Sequence, residues 1–335
     1  MLRSKEIDTC NHGVAALSGI HGRLASTIKV YKDGMLKAFL AAIKRKSTFP
    51  KFTYDLANAP ASYDFLVFLA ICGTYAQGAF DLDILPGPNH GFREDDLEPT
   101  DIVSRQQLLD NVLIPATRVF PVRRLSLFPE QSGGVRLPYT AKYLNREGPI
   151  VGCRAPEWAM RNVMQRYPRR PVVITIRASH YHSVRNSSIN EWNQVADELK
   201  VEHPVVVLND GFLDDISLPI RAALYEWAEL NLSVNNGPCA LMYLNSAVRY
   251  LIFKPTAPSK ASSMQYWNYL GIQEGSGFKW ANAYQKLIWK DDLAANILPA
   301  AKEMLELCAR HHDGNSGSQP AASRVSPAPA HSNMI

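Results

Sequence analysis

The 335-residue chain reads as an α/β protein of two halves, with a doubly wound parallel sheet as the basic unit. Three features carry that expectation. Val172-Val173-Ile174-Thr175-Ile176 and Val205-Val206-Val207-Leu208 are short, continuous apolar runs rich in β-branched residues, the pattern of strands buried on both faces of a parallel sheet. Helical segments alternate with these runs, which is the signature of βαβ units. Apolar residues make up 46% of the chain and charged residues 20%, enough for a sizeable core and against global disorder.

Taken in order, residues 23–46 are expected to be helical in part. Met35, Leu36, Phe39, Leu40 and Ile43 recur at spacings of three and four, ahead of Lys44-Arg45-Lys46. This is a core-facing helix with a basic last turn suited to the helix dipole, or a surface helix touching anionic lipid. Phe52 to Leu56 follows as a strand, then a helix over Tyr63–Gln77 with Ser62 as N-cap and Asp64 in its first turn. A strand over Leu82–Leu85 runs into the Pro86-Gly87 loop, and a helix over Arg105–Leu113 is closed by Pro115. Residues 121–150 are rich in Pro, Gly and Arg and carry no readable period.

In the second half the strand at 172–176 leads to a helix over Ile189–Leu199, and the strand at 205–208 to a helix over Pro219–Leu230 with proline in its first turn. Leu232-Ser233-Val234 is a third strand, Cys239–Leu244 a helix and Val248–Phe253 a fourth strand. The boundary between halves falls near residue 160, giving units 1–160 and 161–312. From 313 to 335 the chain has almost no large apolar residue to bury and reads as a solvated tail.

Lys+Arg is 36 and Asp+Glu is 31, a net charge of +5, which suits a phosphate-bearing ligand or an anionic surface. The basic residues form no long stripe and no nucleic-acid-binding module is present, so nucleic acid is not an expected partner. The five cysteines are scattered without paired spacing, as buried thiols of a reducing compartment are. No apolar stretch follows Met1, and the longest apolar run, Phe65–Gly73, is far short of a membrane span. A cytoplasmic location is therefore expected, with peripheral contact to the inner membrane left open.

Chemistry is sought where α/β sheets bind ligands, outside the carboxyl ends of the strands. Arg177, Arg185, Asn186 and Ser187 follow the strand at 172–176, Asp210 follows 205–208, and Asn235-Asn236-Gly237-Pro238 follows 232–234. Arg177 at a buried strand end needs a partner, either Asp210 or a diphosphate. In the Asn235–Pro238 loop, Gly237 permits close backbone approach and the amides that follow face an anion; alternatively Asn caps the next helix. Asp81-Leu82-Asp83 and His180-Tyr181-His182 have metal-like spacing without a third ligand, so no metal site is expected.

These residues carry a resemblance. Ile174–Arg177, Arg185-Asn186-Ser187 with Trp192, and Asn231–Pro238 resemble uncharacterised bacterial glycosyltransferase-like proteins of surface-polysaccharide gene neighbourhoods. In the first half Asp64-Phe65-Leu66, Gly91-Phe92-Arg93 and Asn111–Pro115 agree, as do Trp280, Gln285, Trp289 and Asp291-Asp292 near the end. The Asn-Gly-Pro loop is also distantly similar to that of heptosyltransferase-like enzymes, where Asp-Ser stands in place of this chain's Asn-Asn. The resemblance implies a GT-B-like architecture, two Rossmann-like domains facing a cleft, with residues 1–160 on the acceptor side and 161–312 binding a nucleotide sugar. It implies metal-independent transfer of a sugar from that co-substrate to a glycan or lipid-linked acceptor, with no cofactor, and with a general base in the first half at Asp55, His90 or Asp95 and Arg93 on acceptor or donor. The competing readings are a non-catalytic nucleotide- or glycan-binding relic and a sugar-nucleotide epimerase.

Overall fold

A computed structural model describes residues 49–93, 97–144, 149–179, 182–211, 216–259 and 262–315. Four strands, β1 (Lys51–Asp55), β2 (Phe80–Leu85), β3 (Val122–Leu127) and β4 (Val135–Arg136), form one parallel sheet in the order β3-β2-β1-β4. Five more form a second: β5 (Val172–Ile176), β6 (Val205–Asn209), β7 (Leu230–Val234), β8 (Tyr250–Phe253) and β9 (Gln285–Ile288), in the order β6-β5-β7-β8-β9 and again parallel. The α/β class with two parallel sheets is thus as the sequence predicts.

In the first half, α1 (Asp64–Ala76) joins β1 to β2 and is buried from Phe65 to Thr74. Its Phe65 and Phe68 pack on Tyr54 of β1, with ring centroids 4.7 and 4.8 Å away. The helix stops at Gln77, a left-handed residue whose N–H closes on the Gly73 carbonyl. The next helix, α2, starts at Pro99 rather than Arg105, with proline in its first turn. Pro115 does not end it. The turn Leu109–Leu113 widens to π-helical form, with the Ile114 N–H bonded to the Leu109 carbonyl, so the helical path continues through Pro115 to Ala116. The unreadable stretch 121–150 holds β3 and β4.

The second half is wound on both faces. After α3 (Glu157–Arg166), the helices are α4 (Ile189–Leu199), α5 (Leu218–Trp227), α6 (Cys239–Tyr243), α7 (Met264–Leu270) and α8 (Ala294–Asn315). Alternate residues of β5 divide between two apolar clusters. Val172, Ile174 and Ile176 pack with Trp192 of α4 and with Ile297 and Met304 of α8. Val173 faces the other way, into a cluster that holds Phe52 and Phe80 of the first sheet together with Leu224, Tyr225 and Leu241 of α5 and α6. This larger core runs through both sheets. α3, on the chain's way from one sheet to the other, packs on α5.

α8 extends to Asn315, so residues 313–315 are helical and not part of a solvated tail. The rest of that tail and the helix expected over 23–46 lie outside the described residues. Among the described residues no helix is long and apolar enough to cross a membrane. Cys72, Cys153, Cys239 and Cys308 are buried free thiols.

Candidate active site

The connection from β5 goes to β6 on one side, and the chain then crosses back to place β7 on the other. The carboxyl ends of β5 and β7 therefore flank the switch point where such sheets bind ligands. A cavity of about 300 Å³ opens there. Ser62, Tyr63 and Asp64 from the start of α1 form one side, Arg185 and Asn235–Gly237 the other, and Tyr243, Tyr266, Trp267 and Phe278 an aromatic wall. Residues at the start of α1, which follows β1, and residues of the loop after β7 meet in it.

The cationic side is built by a braced loop. The Arg177 N–H donates to Ser187 Oγ at 2.9 Å, and its guanidinium donates to Asn186 Oδ1 at 2.9 Å. Asn186 also accepts from the Ser179 N–H and donates to the Ser179 carbonyl, so its amide oxygen takes two hydrogen bonds and its nitrogen gives one. Arg177 stands behind Arg185 rather than on the cavity surface. Burial lowers the pKa of both arginines, and in Arg185 the charge of Arg177 adds to the effect. Arg185 Nη2 donates to the Asn235 carbonyl at 3.2 Å, while its Nε is buried with no hydrogen-bond partner in the described structure. Two guanidiniums held close, one with an unsatisfied donor, form a site that favours an anion.

The loop is anchored from below. Lys254, left-handed at φ 47°, donates from Nζ to the Asn186 carbonyl at 3.0 Å and lies 3.5 Å from Asp292 Oδ1. Asp292 is buried and accepts from the Ser188 N–H at 2.7 Å, the Ser188 hydroxyl at 3.1 Å and Trp192 Nε1 at 2.9 Å. Asp210 accepts from the Ala178 N–H at 3.2 Å; burial raises its carboxyl pKa, while that N–H, Arg177 and Arg221 pull it back.

In the Asn235–Pro238 loop the hydrogen bonds follow the alternative use, Asn capping the next helix. Asn236 Oδ1 accepts from the Cys239 N–H at 3.1 Å, capping α6. The Ala240 and Leu241 N–H groups are taken by the Gly237 and Pro238 carbonyls. The amides behind Gly237 are therefore occupied, and α6 is only five residues long. The glycine serves a protein neighbour: a Cβ on Gly237 would fall 2.4 Å from Cδ2 of the Tyr63 ring, which reaches over from the first half.

Facing Arg185 is Asp64, which the sequence offers as a first-turn acid and as part of the first-half resemblance. Ser62 Oγ donates to its Oδ2 at 3.1 Å and accepts from its N–H at 3.2 Å. The carboxylate is reached by solvent yet enclosed by the crevice. Burial raises its pKa, with the Ser62 hydroxyl, Arg93 and Arg185 opposing. The carboxyl-edge rule, applied to β1 as it was to β5 and β7, points to this residue.

Two of the residues expected as bases, Asp55 and His90, sit elsewhere. Asp55 is bound by Arg136 at 3.1 Å and by the Ala57 N–H and Asn58 side chain, an Asx turn closing β1. His90 is exposed at φ 45°, in a tight turn bridged by Gly87 and Gly91, and does not line the cavity. Asp95 lies outside the described residues. Arg93 is exposed, and its charge is felt by Asp64 and Tyr54. Asp81 takes a bidentate contact from Arg123, and Asp83 is held by Lys51 and Ser132. His182 is exposed, with His180 outside the described residues. Among the described residues no three His, Cys, Asp or Glu side chains gather as a metal would require.

No protein-family model matches the chain, and no curated protein matches it. Among solved structures, the chain has a distant likeness to a glycosyl transferase family 9 protein from Veillonella parvula. The TM-score is 0.41 with 9% identity, over 77% of this chain and 98% of that one. A second likeness is to the ADP-heptose LPS heptosyltransferase II of E. coli, at TM-score 0.40 and 11% identity, over 79% of this chain and all of that one.

Proposed function

We propose that the chain is a glycosyltransferase that moves a sugar from a nucleotide-sugar donor to a glycan or lipid-linked acceptor without a bound metal. The observation that supports this most is the pairing across one crevice of Asp64, a carboxylate with raised pKa, and Arg185, a half-buried cation whose Nε is buried without a hydrogen-bond partner among the described residues. In this reading the acceptor hydroxyl gives its proton to Asp64 as its oxygen bonds to the sugar's anomeric carbon. The bond from that carbon to the diphosphate breaks, and the electron pair leaves with the diphosphate. Arg185, with Arg177 behind it, meets the charge that develops there. A raised carboxyl pKa brings the base closer to the working pH than an ordinary aspartate would be. The aromatic wall offers flat apolar surface for the rest of the donor.

The test is release of nucleoside diphosphate from a panel of nucleotide sugars, with and without EDTA. Turnover that persists in EDTA and is lost in Asp64→Asn supports the proposal. Nucleotide-sugar binding without turnover by the parent would make the chain a binding protein and refute transfer. Activity abolished by EDTA and restored by Mg²⁺ would refute metal independence.

A further inference from the structure

A second cavity, of about 420 Å³, lies on the other side of the seam between the halves. It is lined by Ile150 and Arg154 from the segment before α3, Leu244 and Ser246 from the turn leading into β8, and Lys279 and Trp280 ahead of β9. The last two segments precede strands of the second sheet, so the cavity faces that sheet's amino edge, opposite to the Asp64–Arg185 crevice. A stack of three rings divides the two. Tyr243 and Phe278 line the first cavity, Trp280 the second, with centroids 4.5 and 4.8 Å apart along the stack. Trp280 is fixed in place by its Nε1, which donates to the Tyr243 carbonyl at 2.6 Å.

The polar groups here are cationic and incompletely used. The Lys279 ammonium is exposed and makes no hydrogen bond or ion pair among the described residues. Arg154 donates from Nη2 to Ser246 Oγ at 3.1 Å and from Nη1 to Glu226 Oε1 at a long 3.4 Å, which leaves its Nε unpaired. Glu226 is also the acceptor for the Ala155 N–H and the Asn245 side chain, at 3.1 and 2.7 Å, so one carboxylate serves three donors. Two cations and a hydroxyl thus share a hollow with an indole and aliphatic side chains.

We propose that this cavity is a second binding site, for a small organic anion that carries a compact oxyanion on a planar apolar body. Lys279 and Arg154 meet the oxyanion, and Trp280 with Ile150 and Leu244 meets the body. The inference is independent of the transferase proposal, since no residue of the crevice takes part.

The experiment is isothermal titration of the full chain with phenyl phosphate, with benzoate as the carboxylate counterpart and inorganic phosphate as the oxyanion without a body. At least one aromatic anion is expected to bind, at least fivefold more tightly than inorganic phosphate, and the tighter of the two identifies the oxyanion. Lys279→Glu, an exposed substitution that leaves the core untouched, should weaken it tenfold or more, and Lys279→Arg should restore it. Trp280→Leu should weaken it severalfold, with its melting curve recorded as a check on folding. Arg185→Gln should change it by less than twofold. No binding of either aromatic anion at millimolar concentration overturns the proposal. So does binding that survives Lys279→Glu but is lost in Arg185→Gln, which would put the ligand in the carboxyl-edge crevice.

Discussion

The contact between Gly237 and Tyr63 gives a sharp quantitative expectation. A methyl group on Gly237 would overlap the ring, at 2.4 Å from Cδ2 and 3.0 Å from both Cε2 and Cγ. Ordinary carbon contacts begin near 3.5 Å, so ring or loop must yield by about 1 Å. The loop does not yield freely, because Asn235 is tied to Phe253 and Pro255, and Asn236 to Ser233 and Cys239. Overpacking of this kind costs about 1–3 kcal/mol. Gly237→Ala should therefore lower the melting temperature by a few degrees. In a Tyr63→Ala background the methyl group has room, and the double variant should be more stable than the sum of the single effects by about 1–2 kcal/mol. Urea unfolding followed by circular dichroism measures all four corners of the cycle. A Gly237→Ala variant as stable as the parent, or the same loss with and without the tyrosine ring, would refute the view that this glycine exists for Tyr63.

Three further expectations concern the charged groups. Asp64→Asn should reduce kcat by about 10²–10⁴-fold with little change in donor KM, and the parent's rate should rise with pH through a value above the ordinary carboxylate range, as read from the pH profile. Burial works against the Asp83 carboxylate, but Lys51, Ser132 and Ser126 outweigh it and hold its pKa below the ordinary value. Its contribution to stability is therefore full above the unfolded carboxylate range and lost as pH falls through the lowered folded value; in Lys51→Met acid unfolding should begin at higher pH, with a loss of about 1–3 kcal/mol at neutrality. Lys254→Met removes the brace under the Asn186 carbonyl and should weaken nucleoside-diphosphate binding about tenfold by calorimetry, with Lys254→Arg recovering part of it.

The elements legible in the sequence are those whose burial is one-sided or complete. β5 is buried at every position and reads as an unbroken β-branched run. α4 turns Trp192, Val195, Ala196 and Leu199 to the core at helical spacing. α3 buries only Ala159 and Val163, too few and too small to set a visible period. β3 is an edge strand with Arg123 and Arg124 exposed, so its composition resembles a loop. Pro115 reads as a stop because a π-helical turn has no signature of its own in sequence.

The site divides in a similar way. Arg185, Asn235, Asn236 and Gly237 were found because strand ends mark the binding edge, and all four line the crevice. What the loop does there depends on contacts that come from distant sequence. Tyr63 over Gly237 lies 174 positions away, and the side chain of Asn236 takes the helix amides for itself. The role of Asp64 is hidden because an acid in a helix's first turn has a sufficient explanation in the dipole, and only the fold shows that this turn opens on the cations of the other half.

The core that passes from one sheet to the other also bears on how the chain is made. Phe52, Phe65 and Phe80 leave the ribosome early, yet their cluster is completed by Leu224, Tyr225 and Leu241. At 5–20 residues per second, the wait between residue 151 and residue 241 is roughly 4–20 s. Through that interval the first half, its sheet covered in part by α1, holds an apolar face that the second half has yet to meet, a natural substrate for chaperones. The same face would be bared in a chain cleaved between β4 and α3, because Gly152 there approaches the Leu244 carbonyl so closely that no side chain fits between them. Two fragments produced in one cell have a surface on which to find each other, and either fragment produced alone has a surface on which to aggregate.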